Sequence, residues 1–238
     1  MSLILPDHAE THIWQLRIPN FHSERDRWFT WLSEDERTRA RRFLRIEDHD
    51  RYVLSRGGLR YLLGRYLTRT PETLAFAYSR YGKPSLKMPA ADLHFNLAHS
   101  GEWVVYAVGQ QFLLGIDVEQ IVARGYLDSL IERCLTPAEQ VNLPQASPER
   151  LIGFLKHWTV KEAHLKAIGL GLGYPMTDLQ IDWHPEPQLV RPAKADTVPL
   201  TEWTLKLWYP ADDAIAAACV GQAESRFVIR DFPVDGLR

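Results

Sequence analysis

Leu114, Ile116 and Val118 alternate with Gly115, Asp117 and Glu119, the period-two pattern of a strand that places the two acids on one face. Over residues 148–168 the period changes. Leu151, Leu155, Trp158, Glu162 and Leu165 recur in steps of four and three, the inward stripe of an amphipathic helix. Upstream, weak alternation predicts a strand over residues 11–18. Ser33 and Glu36 form a capping box leading into residues 37–44, and a longer helix is predicted over 48–67. After the turn-prone Tyr81-Gly82-Lys83-Pro84, strands are predicted at 93–97, 103–109 and 112–119, the last two joined by a tight turn near Gln110. A second capping box, Thr136 to Glu139 with Pro137 at the first helical position, precedes the 148–168 helix. Strands follow at 178–183, 203–209, 214–220 and 226–232. Residues 184–200, with Pro185, Pro187, Pro192 and Pro199, are predicted as a long surface connection.

The order of elements repeats, and it predicts an α+β fold of two related halves. The chain has 238 residues, 45% hydrophobic and 24% charged, enough for one substantial core or two small ones. No apolar run approaches the roughly 18 residues needed to span a bilayer, and the N-terminus lacks a secretory pattern. A cytoplasmic location with no membrane partner is expected. Cys134 and Cys219 are far apart and outside any CxxC spacing, so they are expected to be core thiols. The formal net charge is −2, yet residues 21–69 hold twelve arginines, no lysine and eight acids. That local surplus favours an anionic ligand, and arginine's planar fork suits phosphate.

Glu162 interrupts an apolar stripe. A buried carboxylate must be paired, protonated or bound to a cation, and two further acids on a strand are better suited to share a cation than to relieve it. An oxygen-only set favours a hard divalent ion, and magnesium takes one or two carboxylates together with a substrate phosphate. The bland alternative has Glu119 paired with a nearby arginine and Glu162 with Lys166 at i,i+4. On the metal reading, Lys166 can reach a metal-bound phosphate, whereas Lys161 points elsewhere. Arg39, Arg42, Arg51, Arg56 and Lys83 supply further cations, each of which could equally lie on a solvated face. His99, in Phe95-Asn96-Leu97-Ala98-His99-Ser100-Gly101, could donate to a phosphate or cap a turn. Ser100 lacks a Gly-x-Ser-x-Gly elbow, so a serine hydrolase is not suggested. Gly169, Gly171 and Gly173 follow a helix rather than precede one, and no binding role is assigned to them.

Gly115-Ile116-Asp117-Val118-Glu119 together with Trp158-Thr159-Val160-Lys161-Glu162-Ala163-His164-Leu165-Lys166 resembles the paired signature of 4′-phosphopantetheinyl transferases. Arg41-Arg42-Phe43, the Tyr81 to Pro84 turn and Phe95 to Ser100 are similar to further motifs of that family, in its long, monomeric, surfactin-synthetase-activating type. The resemblance implies a pseudo-duplicated α+β fold, each half a small, mostly antiparallel sheet packed on a long helix, with the active site between halves. Residues 1–111 would take the adenosine and 3′-phosphate side of coenzyme A, and residues 112–238 the metal and catalytic helix. It implies transfer of the phosphopantetheine arm of coenzyme A to a serine of an apo acyl or peptidyl carrier protein, with release of adenosine 3′,5′-bisphosphate. Asp117, Glu119 and Glu162 would hold magnesium or manganese, with Glu162 also the general base. Lys166 would contact the pyrophosphate, His99 another phosphate, and Lys83, Arg39 and Arg51 the 3′-phosphate and adenosine end. Glu36 departs from a position that is lysine in some members, so that either Arg37 or Arg39 serves alone or the 3′-phosphate is held differently. Ala98 replaces a common serine. No nucleic-acid partner follows from this resemblance. Two other classes stand beside it: a metal-dependent phosphodiesterase or pyrophosphatase using water as nucleophile, and an arginine-rich nucleic-acid-binding module.

Overall fold

The computed structural model describes residues 3–87, 93–110, 113–171, 173–194 and 196–233. The chain runs β1 (Glu10–Arg17), α1 (Arg25–Trp31), α2 (Glu34–Ala40), α3 (Ile46–Leu67), β2 (Phe76–Tyr78), β3 (Pro84–Leu86), β4 (His94–Ser100) and β5 (Trp103–Gly109). It continues through β6 (Leu114–Gln120), α4 (Leu127–Cys134), α5 (Pro137–Val141), α6 (Glu149–Ile168), β7 (Gln180–Trp183), β8 (Pro187–Arg191), β9 (Thr204–Ala211), β10 (Ala214–Val220) and β11 (Arg226–Asp231).

Two sheets, ordered β11-β1-β5-β4 and β6-β10-β9, lie face to face between α3 and α6. Strand parity sets these layers. In β5, Val104, Tyr106 and Val108 pack with α3 residues such as Leu59 and Leu62, while Trp103, Val105 and Ala107 join the core between the sheets. In β10, Ala214, Ala216, Ala218 and Val220 enter that same core, and Ile215, Ala217 and Cys219 turn towards α6. Strands buried on both faces read as nearly continuous apolar runs, which is the sequence of both strands.

Three expectations need correction. The turn after β5 does not close a hairpin, because β5 pairs with β1 and β4 whereas β6 pairs with β10. Each strand has an apolar face, and stacking the sheets buries those faces against each other, as a flat hairpin would not. Residues 111 and 112 of that turn lie outside the described residues. Residues 184–200 are not all connection, since β8 pairs antiparallel with β7 and buries Leu189; proline is tolerated at a strand's first position. Finally, β11 runs parallel to β1 in the first sheet, although it lies beyond the division at residue 112.

The capping boxes carry the doubled plan further than their sequence suggested. Ser33 and Thr136 each cap a helix with a glutamate at the third position. Each glutamate also takes a buried cation from the long helix of its own half. Glu36 Oε2 accepts from Arg60 Nε at 2.8 Å, and Glu139 Oε2 accepts from Lys161 Nζ at 2.6 Å. Lys161 therefore does point away from the cleft. Glu36 is equally an internal residue, 3% exposed, so its lack of positive charge removes nothing from a ligand site. Arg37 is spent on the Leu32 and Thr30 carbonyls, and Arg39 is the cation that α2 presents to the cleft.

Gly115 decides how closely α6 approaches β6. A Cβ there would lie 1.9 Å from the Ala163 carbonyl oxygen and 2.5 Å from the Ala167 nitrogen, both backbone atoms of α6. Gly115→Ala is therefore expected to push the helix off the strand and to cost about 1–3 kcal/mol as overpacking. A thermal melt checks the stability loss. A larger fractional loss of activity than of folded protein would mark displacement of the helix-borne site residues.

Candidate active site

A cleft of about 610 Å³ is lined by residues from both halves, among them Arg39, Arg51, Arg56, Lys83, His99, Asp117, Glu119, Glu162 and Lys166. All eight site residues expected from sequence thus share one cavity. The Asp117 and Glu119 side of β6 turns to α6, because Gly115 on that same face lets the helix close over the strand. Glu162 and Lys166, one helical turn apart, meet Asp117 there.

The acids are held differently. Both oxygens of Glu119 accept hydrogen bonds: Oε1 from Trp158 Nε1 at 3.0 Å, and Oε2 from Arg124 Nη2 at 2.8 Å and Ser100 Oγ at 3.0 Å. Lys166 Nζ lies 2.6 Å from Asp117 Oδ1 rather than pairing with Glu162. Asp117 Oδ2 and Glu162 Oε1 are buried without a hydrogen-bond partner. Burial first, with repulsion from Asp117 and then Glu119 partly offset by Lys166, pushes the Glu162 carboxyl up to about 8. Burial also raises Asp117 to about 6, against the pull of Lys166.

Among the described residues, no group of three or more His, Cys, Asp or Glu side chains forms a ready-made metal cage. The donor chemistry nevertheless suits a hard cation: Asp117 and Glu162 each bring an unpartnered carboxylate oxygen to the same cleft, and Glu119 lines it with a third carboxylate. Half of the bland alternative is realised, since Glu119 does pair with an arginine. The other half is not.

On the opposite wall, Arg51 donates to Asp48 Oδ1 at 2.8 Å and to the Gly101 carbonyl at 2.9 Å. Lys83 Nζ donates to the carbonyls of Leu114 at 3.0 Å and Ala167 at 2.9 Å, and burial lowers its pKa to about 8. It staples the turn between β2 and β3 to the second half and keeps one of its three donors for a ligand. His99 opens into the cleft, and desolvation, then the charges of Arg51, Lys166 and Arg56, hold its imidazole well below its ordinary pKa. It offers an anion an N–H rather than a charge at neutral pH. Gly169 ends α6 in the left-handed region at φ 76°, the helix stop expected of it.

Sequence reasoning missed Trp158 and Arg124 as partners of Glu119. The signal for Trp158 was its place on the α6 stripe, one turn before Glu162. Arg124 lies in a segment without periodicity, and only the fold brings it back.

Comparison with known proteins adds the following. The profile of the 4′-phosphopantetheinyl transferase superfamily matches residues 113–219, and that of a 4′-phosphopantetheinyl transferase N-terminal region matches residues 19–111. The chain is similar to 4′-phosphopantetheinyl transferase HetI of Nostoc sp., 34% identical over 89% of this chain and 87% of the relative. It is also similar to 4′-phosphopantetheinyl transferase Sfp of Bacillus subtilis, 28% identical over 72% of this chain and 75% of the relative.

Proposed function

The chain belongs to the 4′-phosphopantetheinyl transferase superfamily, enzymes that move the phosphopantetheine arm to carrier proteins, and on that premise we propose how the cleft performs the transfer. The carrying observation is the meeting of Asp117, Glu162 and Lys166 on one wall of a cleft whose other wall is rich in arginine. Coenzyme A lies along the cleft, its pyrophosphate against Lys166 and its nucleotide end towards α2 and α3. A serine hydroxyl of an apo acyl or peptidyl carrier protein attacks the phosphorus that bears the pantetheine arm. A new P–O ester bond forms, the bond to the bridging oxygen breaks, and adenosine 3′,5′-bisphosphate departs.

Serine is a poor nucleophile at its free pKa, so a positioned carboxylate must take its proton. Glu162 is that group, directly or through water. Asp117 and Glu162 would hold magnesium through their two unpartnered oxygens, with Glu119 completing the set. Bound magnesium supplies positive charge that offsets charge developing on the phosphate oxygens. Lys166 adds a fixed cation on the same wall. Trp158, Ser100 and Arg124 orient Glu119, and His99 donates a hydrogen bond to a phosphate oxygen.

The experiment is an incubation of the protein with magnesium, coenzyme A and an apo carrier domain, read by intact mass. The carrier is expected to gain one phosphopantetheine, and release of adenosine 3′,5′-bisphosphate is expected only with a carrier present. Release without a carrier would instead identify a phosphodiesterase using water, and an unmodified carrier across several carrier types would reject the transfer. Among the described residues, no helix is long and apolar enough to cross a membrane.

A further inference from the structure

Glu119 differs from the other two acids of the cleft. Asp117 and Glu162 each keep a buried oxygen without a partner, whereas Glu119 takes three donors, Trp158 Nε1 on Oε1 and Arg124 Nη2 with Ser100 Oγ on Oε2. An ionised carboxylate offers about four lone-pair sites, two on each oxygen. Oε2 is therefore filled, and a single site on Oε1 is left for a cation. Arg124 belongs to the connection between β6 and α4, where Val122 and Tyr126 stand 49% and 64% exposed while the charged residue between them turns inward. That inverts the usual order, in which an arginine takes the water and apolar groups the interior. The side chains of Arg124 and Glu119 are only 18% and 17% exposed, so their bond is sheltered as a surface ion pair is not. Ser100 is fixed in turn: its Oγ accepts from the Gln120 amide at 3.2 Å, and its proton goes to Glu119.

Resting on the proposed reading, in which Asp117, Glu119 and Glu162 hold magnesium, we infer that Arg124 is a positioning residue that sets which divalent ion the site accepts. By saturating Oε2 it confines Glu119 to giving a cation one oxygen. A carboxylate that gives both oxygens has a narrow bite, which calcium accommodates in its flexible shell and which magnesium, held to near-ideal octahedral geometry, does not. Arg124 thus favours the smaller ion by closing the mode of binding that the larger one exploits. It is not among the residues lining the cleft, so it acts through Glu119 and not on the substrate.

Thermal melts at pH 8, titrated with magnesium chloride alone and with calcium chloride alone, give an apparent affinity for each ion, because a ligand of the folded state raises the melting temperature by mass action. Arg124→Met removes the donor and keeps an apolar stem. It is expected to raise the ratio of calcium affinity to magnesium affinity about tenfold, the low end of the range for losing the hydrogen-bond partner of a metal ligand. Arg124→Lys, whose ammonium can still donate to Oε2, should restore most of the wild-type ratio. Ser100→Ala opens the same oxygen from its other side; it should move the ratio in the same direction as Arg124→Met, and it carries the test should that variant fail to fold. A ratio that is unchanged or lowered, including a loss of both affinities by one factor, overturns the role of Arg124 and leaves the metal reading standing. A wild type whose melting temperature answers to neither ion overturns both.

Discussion

Glu162→Gln is expected to lower turnover by about a thousandfold, within the 10²–10⁴ range for a positioned acid–base group, while making the metal-free protein more stable above neutral pH. Both effects have one cause. Glu162 is 3% exposed, beside Asp117 and with an unpartnered oxygen, so ionising it in the fold is costly. Its folded pKa of about 8 lies above an ordinary 4.5. The folded state therefore binds more protons than the unfolded state between those values, and stability falls as pH rises through that window. Asp117 acts in the same direction between 3.8 and about 6. His99 acts oppositely, but its folded pKa lies below its ordinary 6.5, so its contribution is complete just above that pH. Between about pH 6.5 and 8 the Glu162 contribution remains, and glutamine removes it. The melting temperature of Glu162→Gln should rise above that of wild type progressively as pH climbs from about 4.5 towards 8, by about 2–4 °C for each kcal/mol, and the two should converge below that window. Magnesium should raise the wild-type melting temperature at pH 8 and do little for the variant. A wild-type protein indifferent to magnesium at pH 8, or a variant no more stable than wild type there, would count against the charge cluster as the seat of catalysis.

Glu139→Ala is the second large effect, and it is one of stability. Lys161 is fully buried, with its three donors directed at Glu139 and at the carbonyls of Cys134 and Met176. Burial lowers its pKa and the glutamate pulls it back. Removing the carboxylate leaves a buried charge without its counter-ion, at a cost of about 3–5 kcal/mol. It also removes the acceptor of the Ile181 and Thr136 amides, each 2.7–2.8 Å away. A melting-temperature drop of roughly ten degrees or more is expected. The double variant Glu139→Leu with Lys161→Met should recover much of the loss, because paired replacement of a buried ion pair by apolar groups is often neutral. Loss in the single variant without recovery in the double would assign the effect to capping of α5 instead.

Periodicity made the main elements legible. Strand β10 and the first sites of helix α6 follow from short-range stereochemistry, as do both capping boxes, because a side chain's face and a cap's partner lie within a few residues. The three acids were legible for the same reason: Glu162 broke a stripe, and Asp117 and Glu119 shared a strand face. Glu36 was legible as the partner of the Ser33 cap, whereas its burial against Arg60 depends on another helix and was not. Arg56 was legible only as one of several candidate cations, because nothing local to the chain tells which arginine an acid will pair with.

The sequence by itself determined which residues face which side of their own element, and through the ordered motifs it determined the family. The tertiary structure decided which faces meet. Sheet stacking rather than a hairpin, Lys166 on Asp117 rather than on Glu162, and Arg124 on Glu119 all depend on which partners become neighbours. Those choices are settled by burial of apolar faces across the whole chain, and the absent side chain of Gly115 is what lets α6 carry Glu162 and Lys166 to the strand.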